Sequence, residues 1–253
     1  SNLKNTDRIS ALIVKKEFLK DLSFFVGGII LSEEPKQIFF KIHQFLFENS
    51  LYFKSRDTEI DPTALIADSA IIADKNVTIG KYTIIEDHVV IKENTVIGDN
   101  TRIRSGTIVS SSGFESSIVE GVQKIIPHAG WAIIGNNVEI QANTVVTKGL
   151  YPSRNTVIED EVVIDNLVHV AHGVQIGKRS KIVALAMLGG NATIGQNVWI
   201  GPSAVISSGI KIGDNAFITL GSVVTKNVEE GKRVTGNFAI DHGKFLENLK
   251  NIR

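Results

Sequence analysis

The chain has 253 residues, 43% of them hydrophobic and 21% charged, with Lys+Arg and Asp+Glu balanced at 27 each. That balance supplies no global field for nucleic acid or anionic lipid, and the absence of cysteine excludes disulfides, thiolate zinc sites and a thiol nucleophile. No apolar run is long enough for a membrane-spanning helix and no signal-peptide pattern opens the chain, so a cytoplasmic protein without nucleic-acid partners is expected.

Residues 3–58 read as a small α/β domain. Ala11–Val14 and Phe24–Leu31 predict two short buried strands. Glu34-Pro35 then opens a helix, proline being suited to its first position. Ile38, Phe39, Ile42, Phe45 and Leu46 fall at helical spacing and predict its buried face. The expected role of this domain is to cap the open end of the repeat beyond it.

Residues 59–238 carry a period of six. It starts unevenly at Ile66 and Ile72, slips by one residue, and then runs through Ile79, Ile85, Ile91, Ile97, Ile103 and Val109. Four places after these aliphatics the residue is often threonine (Thr83, Thr95, Thr101, Thr107), a β-branched choice for a half-buried setting. Gly80, Asn94, Gly98 and Asn100 fall at turns and predict left-handed backbone there. The frame breaks over residues 110–133, a loop insertion holding Phe114, Ile125, Ile126, His128 and Trp131. It is too apolar for a loop that meets only water. From Ile134 the frame resumes through Ile140, Val146, position 152 (Pro152, the one non-aliphatic member) and Ile158. It then holds without a break through Ile164, Val170, Ile176, Ile182, Leu188, Ile194, Ile200, Ile206, Ile212, Ile218 and Val224.

A period of six matches neither helix nor strand alone. It fits short strands wound into a parallel β-helix, roughly 18 residues per coil, in which stacking buries the aliphatic columns. The expected fold is therefore mainly β, a β-helix with the α/β cap at one end. An exit turn and strand (Glu229 to Asn237) come next, then a helix over 239–253, capped by Asp241 and carrying Phe245, Leu246, Leu249 and Ile252. The sides of such a solenoid are flat, so clefts arise where copies pack side by side.

Two histidines, His169 and His172, lie three apart inside the repeat and cannot both be core residues. A neutral imidazole there suits a general base, with Asp165 the nearest carboxylate in sequence; a solvated turn histidine is the plain alternative. A zinc site of the γ-class carbonic anhydrase kind needs three suitably spaced ligands, and His128, His169 and His172 match that spacing poorly, so no metal is expected.

Taken together, Ser112-Gly113-Phe114, Lys124-Ile125-Ile126-Pro127, the run Ile134 to Thr144, Ile164-Asp165-Asn166 and Val170-Ala171-His172 resemble the UDP-3-O-acylglucosamine N-acyltransferases of lipid A biosynthesis, with a shortened N-terminal domain. That resemblance implies a homotrimeric left-handed β-helix whose active sites lie between subunits. The reaction implied is transfer of an acyl group from a thioester of coenzyme A or acyl carrier protein to the amine of a nucleotide-linked amino sugar, with no tightly bound cofactor. It assigns His172 as base with Asn166 beside it. It offers Phe114, Trp131, Asn143, His169 and Ser208 as substrate-binding candidates, and Gly190 and Lys226 as contacts for the donor. Gly209 stands where the family carries a second histidine. With the short N-terminal domain, this points to a sister activity on surface-polysaccharide sugars, whose enzymes end in a Val-Thr-Lys turn like Val224-Thr225-Lys226. An acetyl-CoA-dependent O-acetyltransferase and a non-catalytic scaffold are the alternatives.

Overall fold

The computed structural model describes residues 9–236 and 242–252. The Asp241 cap and the Asn237 end of the exit turn lie outside the described residues. The chain forms two compact units. One comprises residues up to Lys54 together with Phe114–Pro127, and the other comprises Ser55–Gly113 with the chain from His128 onward.

The second unit is a parallel β-helix. Among the described residues its strands form three sheets, of nine, eight and eight strands. The first face carries Ile164, the second Val170 and the third Ile176. Ile164 pairs with Ile182, Val170 with Leu188 and Ile176 with Ile194, so one coil takes eighteen residues and each six-residue step is one face. The aliphatic columns are buried throughout. Each isoleucine so enclosed stabilises the fold by about 2–3 kcal/mol, which no single coil could realise alone.

The threonines of the early coils lie deeper than the half-buried setting expected for them. Thr83, Thr101 and Thr107 are buried and act as polar struts. Thr101 donates its hydroxyl to the Gly135 carbonyl at 2.9 Å and accepts from the Val138 N–H at 3.2 Å, stitching one coil to the next. β-branching let the residue be placed on a strand; its hydroxyl decided where it is useful. Asn94 and Asn100 do take left-handed backbone. Gly80 and Gly98 do not, and are glycines for another reason: a Cβ on Gly98 would lie 2.7 Å from the Gly135 carbonyl carbon of the next coil. Close stacking, not φ, excludes a side chain there.

The frame also hides a second insertion. Ile97 pairs with Ile134, a coil lengthened by the first insertion, and Ile134 pairs with Ile158, twenty-four positions on and six more than a coil. Residues 148–155 therefore form an excursion of their own, and position 152 is no rung of the ladder. An insertion of six leaves a period of six intact, which is why the sequence read straight across it. The early slip lies between Ile72 and Ile79, since Ile60 pairs with Ile79 at nineteen. At the far end Arg233–Val234 adds the exit strand to the first face, and a helix runs over His242–Ile252.

In the other unit, β1 (Ala11–Val14) and β2 (Gly28–Leu31) pair in parallel. They are half-buried to exposed rather than buried. Helix α1 (Pro35–Glu48) starts on its proline as expected, but its buried residues are Phe40 and His43. Phe39, Ile42 and Phe45, predicted to be buried, are exposed. The reason is His43, whose Nε2 lies 2.7 Å from the Pro127 carbonyl and whose Nδ1 contacts the Tyr52 hydroxyl. Those polar ties turn the helix by its histidine and draw in the end of the insertion. The middle of that insertion is an antiparallel hairpin, Ser116–Val119 with Val122–Ile125. Glu120 and Gly121 at its tip both have positive φ, as a two-residue primed turn requires.

Candidate functional site

Both insertions leave the solenoid at the same corner, between the second and third faces: the first after Ser111 and the second, one coil later, after Thr147. One coil further, that corner reads Ala171-His172-Gly173. Eighteen residues on it reads Gly189-Gly190-Asn191, then Ser207-Ser208-Gly209, then Thr225-Lys226-Asn227. His172, Gly190, Ser208 and Lys226 thus stand in one column, a gathering that the separate sequence candidates did not reveal. Gly209 makes the left-handed turn of its coil with open space where a Cβ would be.

His172 sits in a fitted slot. A Cβ on Gly190 would lie 2.6 Å from its Nε2, so the ring occupies the space an alanine would need. On its other side stands His128, ring centroids 5.5 Å apart and planes at 73°. A Cβ on Gly113 would come within 2.8 Å of the His128 Nε2 and 3.4 Å of the His172 Cδ2. His128 and Gly113 are the two stems of the first insertion. The second insertion braces them: the Ala129 N–H donates to the Leu150 carbonyl and the Gly130 N–H to the Gly149 carbonyl. Arg154, also from the second insertion, donates to the carbonyls of Gly173 at 3.0 Å and Asn191 at 2.8 Å. Lys148 occupies the corner one coil before His172. Burial, and to a lesser degree the neighbouring Lys92, hold its pKa below the ordinary lysine value, while Glu93 opposes the shift. His128, Lys148 and Arg154 were missed as site residues. The signal that finds them is that both insertions leave at one corner, which needs the coil register.

The other candidates lie elsewhere. Asn166 and Asn143 belong to the corner between the first and second faces, across the second face from His172. The Asn166 side chain is used locally, its Oδ1 accepting from the Ala142 N–H at 3.1 Å and its Nδ2 donating to Asp165 at 2.8 Å. Asp165 in turn accepts from the Ala184 N–H at 3.2 Å, so its carboxylate serves that same corner. His169 stands on the outer side of the second face between Val145 and Met187. Partial burial first, then the nearby His172, lower its pKa. Phe114, 82% exposed, and Trp131 fall in different compact units. Trp131 packs beneath the Arg56 guanidinium, 5.5 Å from its ring centre.

Residues 76–111, 155–190 and 191–226 match the family described as bacterial transferase hexapeptide (six repeats). The chain is 52% identical over 128 residues to UDP-3-O-acylglucosamine N-acyltransferase 2 of Legionella pneumophila (strain Lens), covering 51% of this chain and 37% of that protein. It is 52% identical over 132 residues to UDP-3-O-acylglucosamine N-acyltransferase of Rickettsia prowazekii (strain Madrid E), covering 52% and 38%. The match thus spans less than two-fifths of either relative's length. Among solved structures, UDP-N-acetylglucosamine O-acyltransferase from Moraxella catarrhalis RH4 aligns over 76% of each chain at 23% identity with a TM-score of 0.47. The solenoid is a left-handed parallel β-helix of the hexapeptide-repeat kind, and across about half its length this chain resembles the UDP-3-O-acylglucosamine N-acyltransferases.

Proposed function

We propose that the protein is an acyltransferase that joins an acyl thioester to the amine of a nucleotide-linked amino sugar. The observation that carries this reading is the slot around His172. It lies in a matched repeat block, and glycine at position 190 leaves room for the imidazole where a side chain would displace it. The chemistry needs one base. The neutral amine attacks the thioester carbonyl, His172 takes the proton that the nitrogen sheds, the C–S bond breaks, and the proton passes to the departing thiolate. No covalent enzyme intermediate is required, and holding amine and thioester together supplies much of the rate.

On this reading the protein works as a homotrimer. The outer side of the second face is a mostly apolar column, Val90, Ile108, Val145, Met187, Val205 and Val223, with His169 between Val145 and Met187, whereas the first face mixes Ile84, Val163, Trp199 and Phe217 with Arg102, Glu139, Lys181 and Arg233 at the matching places. A face so largely apolar favours a subunit contact. The corners of Asn166 and His172 flank this face, so a neighbouring copy docked on it brings one copy's Asn166 toward another's His172. Ser208 and Lys226, further along the His172 column, are assigned to the donor thioester, coenzyme A or acyl carrier protein. No helix among the described residues is long and apolar enough to cross a membrane, and we assign the reaction to the cytoplasm, where thioester donors are made.

Thermal unfolding against coenzyme A, acyl carrier protein, UDP-sugars and dTDP-amino sugars tests the reading, since a ligand of the native state raises the midpoint. A rise with one thioester carrier and one nucleotide amino sugar, followed by amide formation that His172→Ala abolishes, supports it. A well-folded protein that responds to none of them overturns it.

A further inference from the structure

His128 is 1% exposed and comes from a segment with no part in the repeat. Burying an imidazole costs more than burying an aliphatic side chain of similar size, because two ring nitrogens leave water. A position serving packing alone is better filled by leucine or methionine. His128 is set edge-on against the proposed base, and the glycines at 113 and 190 clear space on both sides of the pair. Three pieces of chain, the two stems of the first insertion and the coil of Gly190, converge on two rings.

We infer that His128 is a positioning residue for His172: it fixes the plane of that ring and, through its own protonation, sets the pH at which His172 is a neutral base. The inference rests on the reading of His172 as the base. Two imidazolium charges 5.5 Å apart repel, so the pair takes up its protons in two coupled steps rather than independently. Among the described residues, the other charged or titratable groups at or beside this corner include His169, Lys148 with its neighbours Glu93 and Lys92, Arg154, and Lys226 further along the column. The segments of Gly113 and Gly190 add none, since their neighbours are Ser111, Ser112, Gly189 and Asn191. These groups remain in a His128 variant, so the difference between the two proteins reports on His128.

The test is an NMR titration of the intact protein with 15N-labelled histidine, wild type against His128→Gln. The wild-type His172 curve is expected to depart from a one-proton titration. In His128→Gln it moves closer to a one-proton curve, the coupling to His169 remaining, with its midpoint raised by about one unit. The acid limb of kcat then moves to higher pH by the same amount, with KM within about twofold, whereas a purely structural role would lower kcat alike at every pH. An unchanged His172 midpoint and shape in the variant overturns the inference. Should His128→Gln not fold, simple independent one-proton curves for both rings in the wild type overturn it equally. The titration needs no substrate, so failure of the pairing is read separately from failure of the acyl-transfer reading, which His172→Ala in the transfer assay decides.

Discussion

The coils from Ile158 to Val224 and the corner where the two insertions leave are made of the same chain under different constraints. In the coils every sixth residue is an aliphatic in a dry column, turns repeat at eighteen-residue intervals, and one coil is much like the next. At the corner the repeat is spent on exceptions: two excursions, two glycines with no room for a Cβ, a buried histidine and a partly buried lysine. Regularity gives the solenoid its stability and leaves its sides featureless. The clustering of titratable groups described above arises where regularity fails at one edge in successive coils.

That contrast is broken most sharply by His172→Ala. Transfer is expected to fall about 10²–10⁴-fold, the usual share of a general base, while circular dichroism and thermal midpoint stay near wild type. A comparable drop in stability would mean that the residue belongs with the coils. The converse change, Ile176→Ala in the third-face column, is expected to cost about 2–5 kcal/mol in denaturant unfolding, with kcat per folded molecule little altered. Between them lies Gly190→Ala. Its Cβ would stand 2.6 Å from the His172 Nε2, so the ring must move. Overpacking of this kind costs about 1–3 kcal/mol, and transfer is expected to fall more than tenfold. A variant that kept full activity would show that the slot does not set the ring.

The coils were legible because a column of aliphatics needs only periodicity to declare itself. Val170 and Ile206 could be assigned to the core from spacing alone. His172 was legible as chemistry through the motif Val170-Ala171-His172, since spacing alone leaves a solvated turn histidine as the alternative. The company His172 keeps was not. His128 lies forty-four positions upstream, and the excursion at 148–155, which lengthens its coil by six, preserves the frame and so passes unseen. Their meeting depends on coil register, a three-dimensional fact. Helix α1 was misread for a related reason. Its stripe of Ile38, Phe39 and Ile42 outweighs a single histidine in any count of apolarity, yet the fold turns the helix by His43 because two polar partners await it. Asn166 shows the reverse case, a motif residue whose amide is occupied in joining Ala142 to Asp165.

The smallest effects concern charge. Partial burial lowers the His169 pKa, so the folded state binds its proton less readily than the unfolded chain does. Stability is therefore lost as pH falls through the unfolded value near 6.5, and His169→Gln should flatten that acid limb of the unfolding midpoint. Lys148 has the same sign at the other end of the scale. Burial holds its pKa below that of a free lysine, so at neutral pH the fold carries a charged ammonium in a place that favours the neutral amine. That penalty is present in full below the folded pKa, shrinks as pH rises, and is gone above the unfolded value near 10.4. Lys148→Met should thus stabilise the protein at pH 7 by about 0.5 kcal/mol, a gain that fades in unfolding measured at successively higher pH. A penalty kept at the corner, one coil before His172, is what a binding place tolerates and a coil has no reason to keep. If Lys148→Met gains stability but loses thioester or nucleotide-sugar binding, the lysine belongs to the site. If it gains stability at no cost to binding, the corner's machinery ends at the two histidines and their glycines.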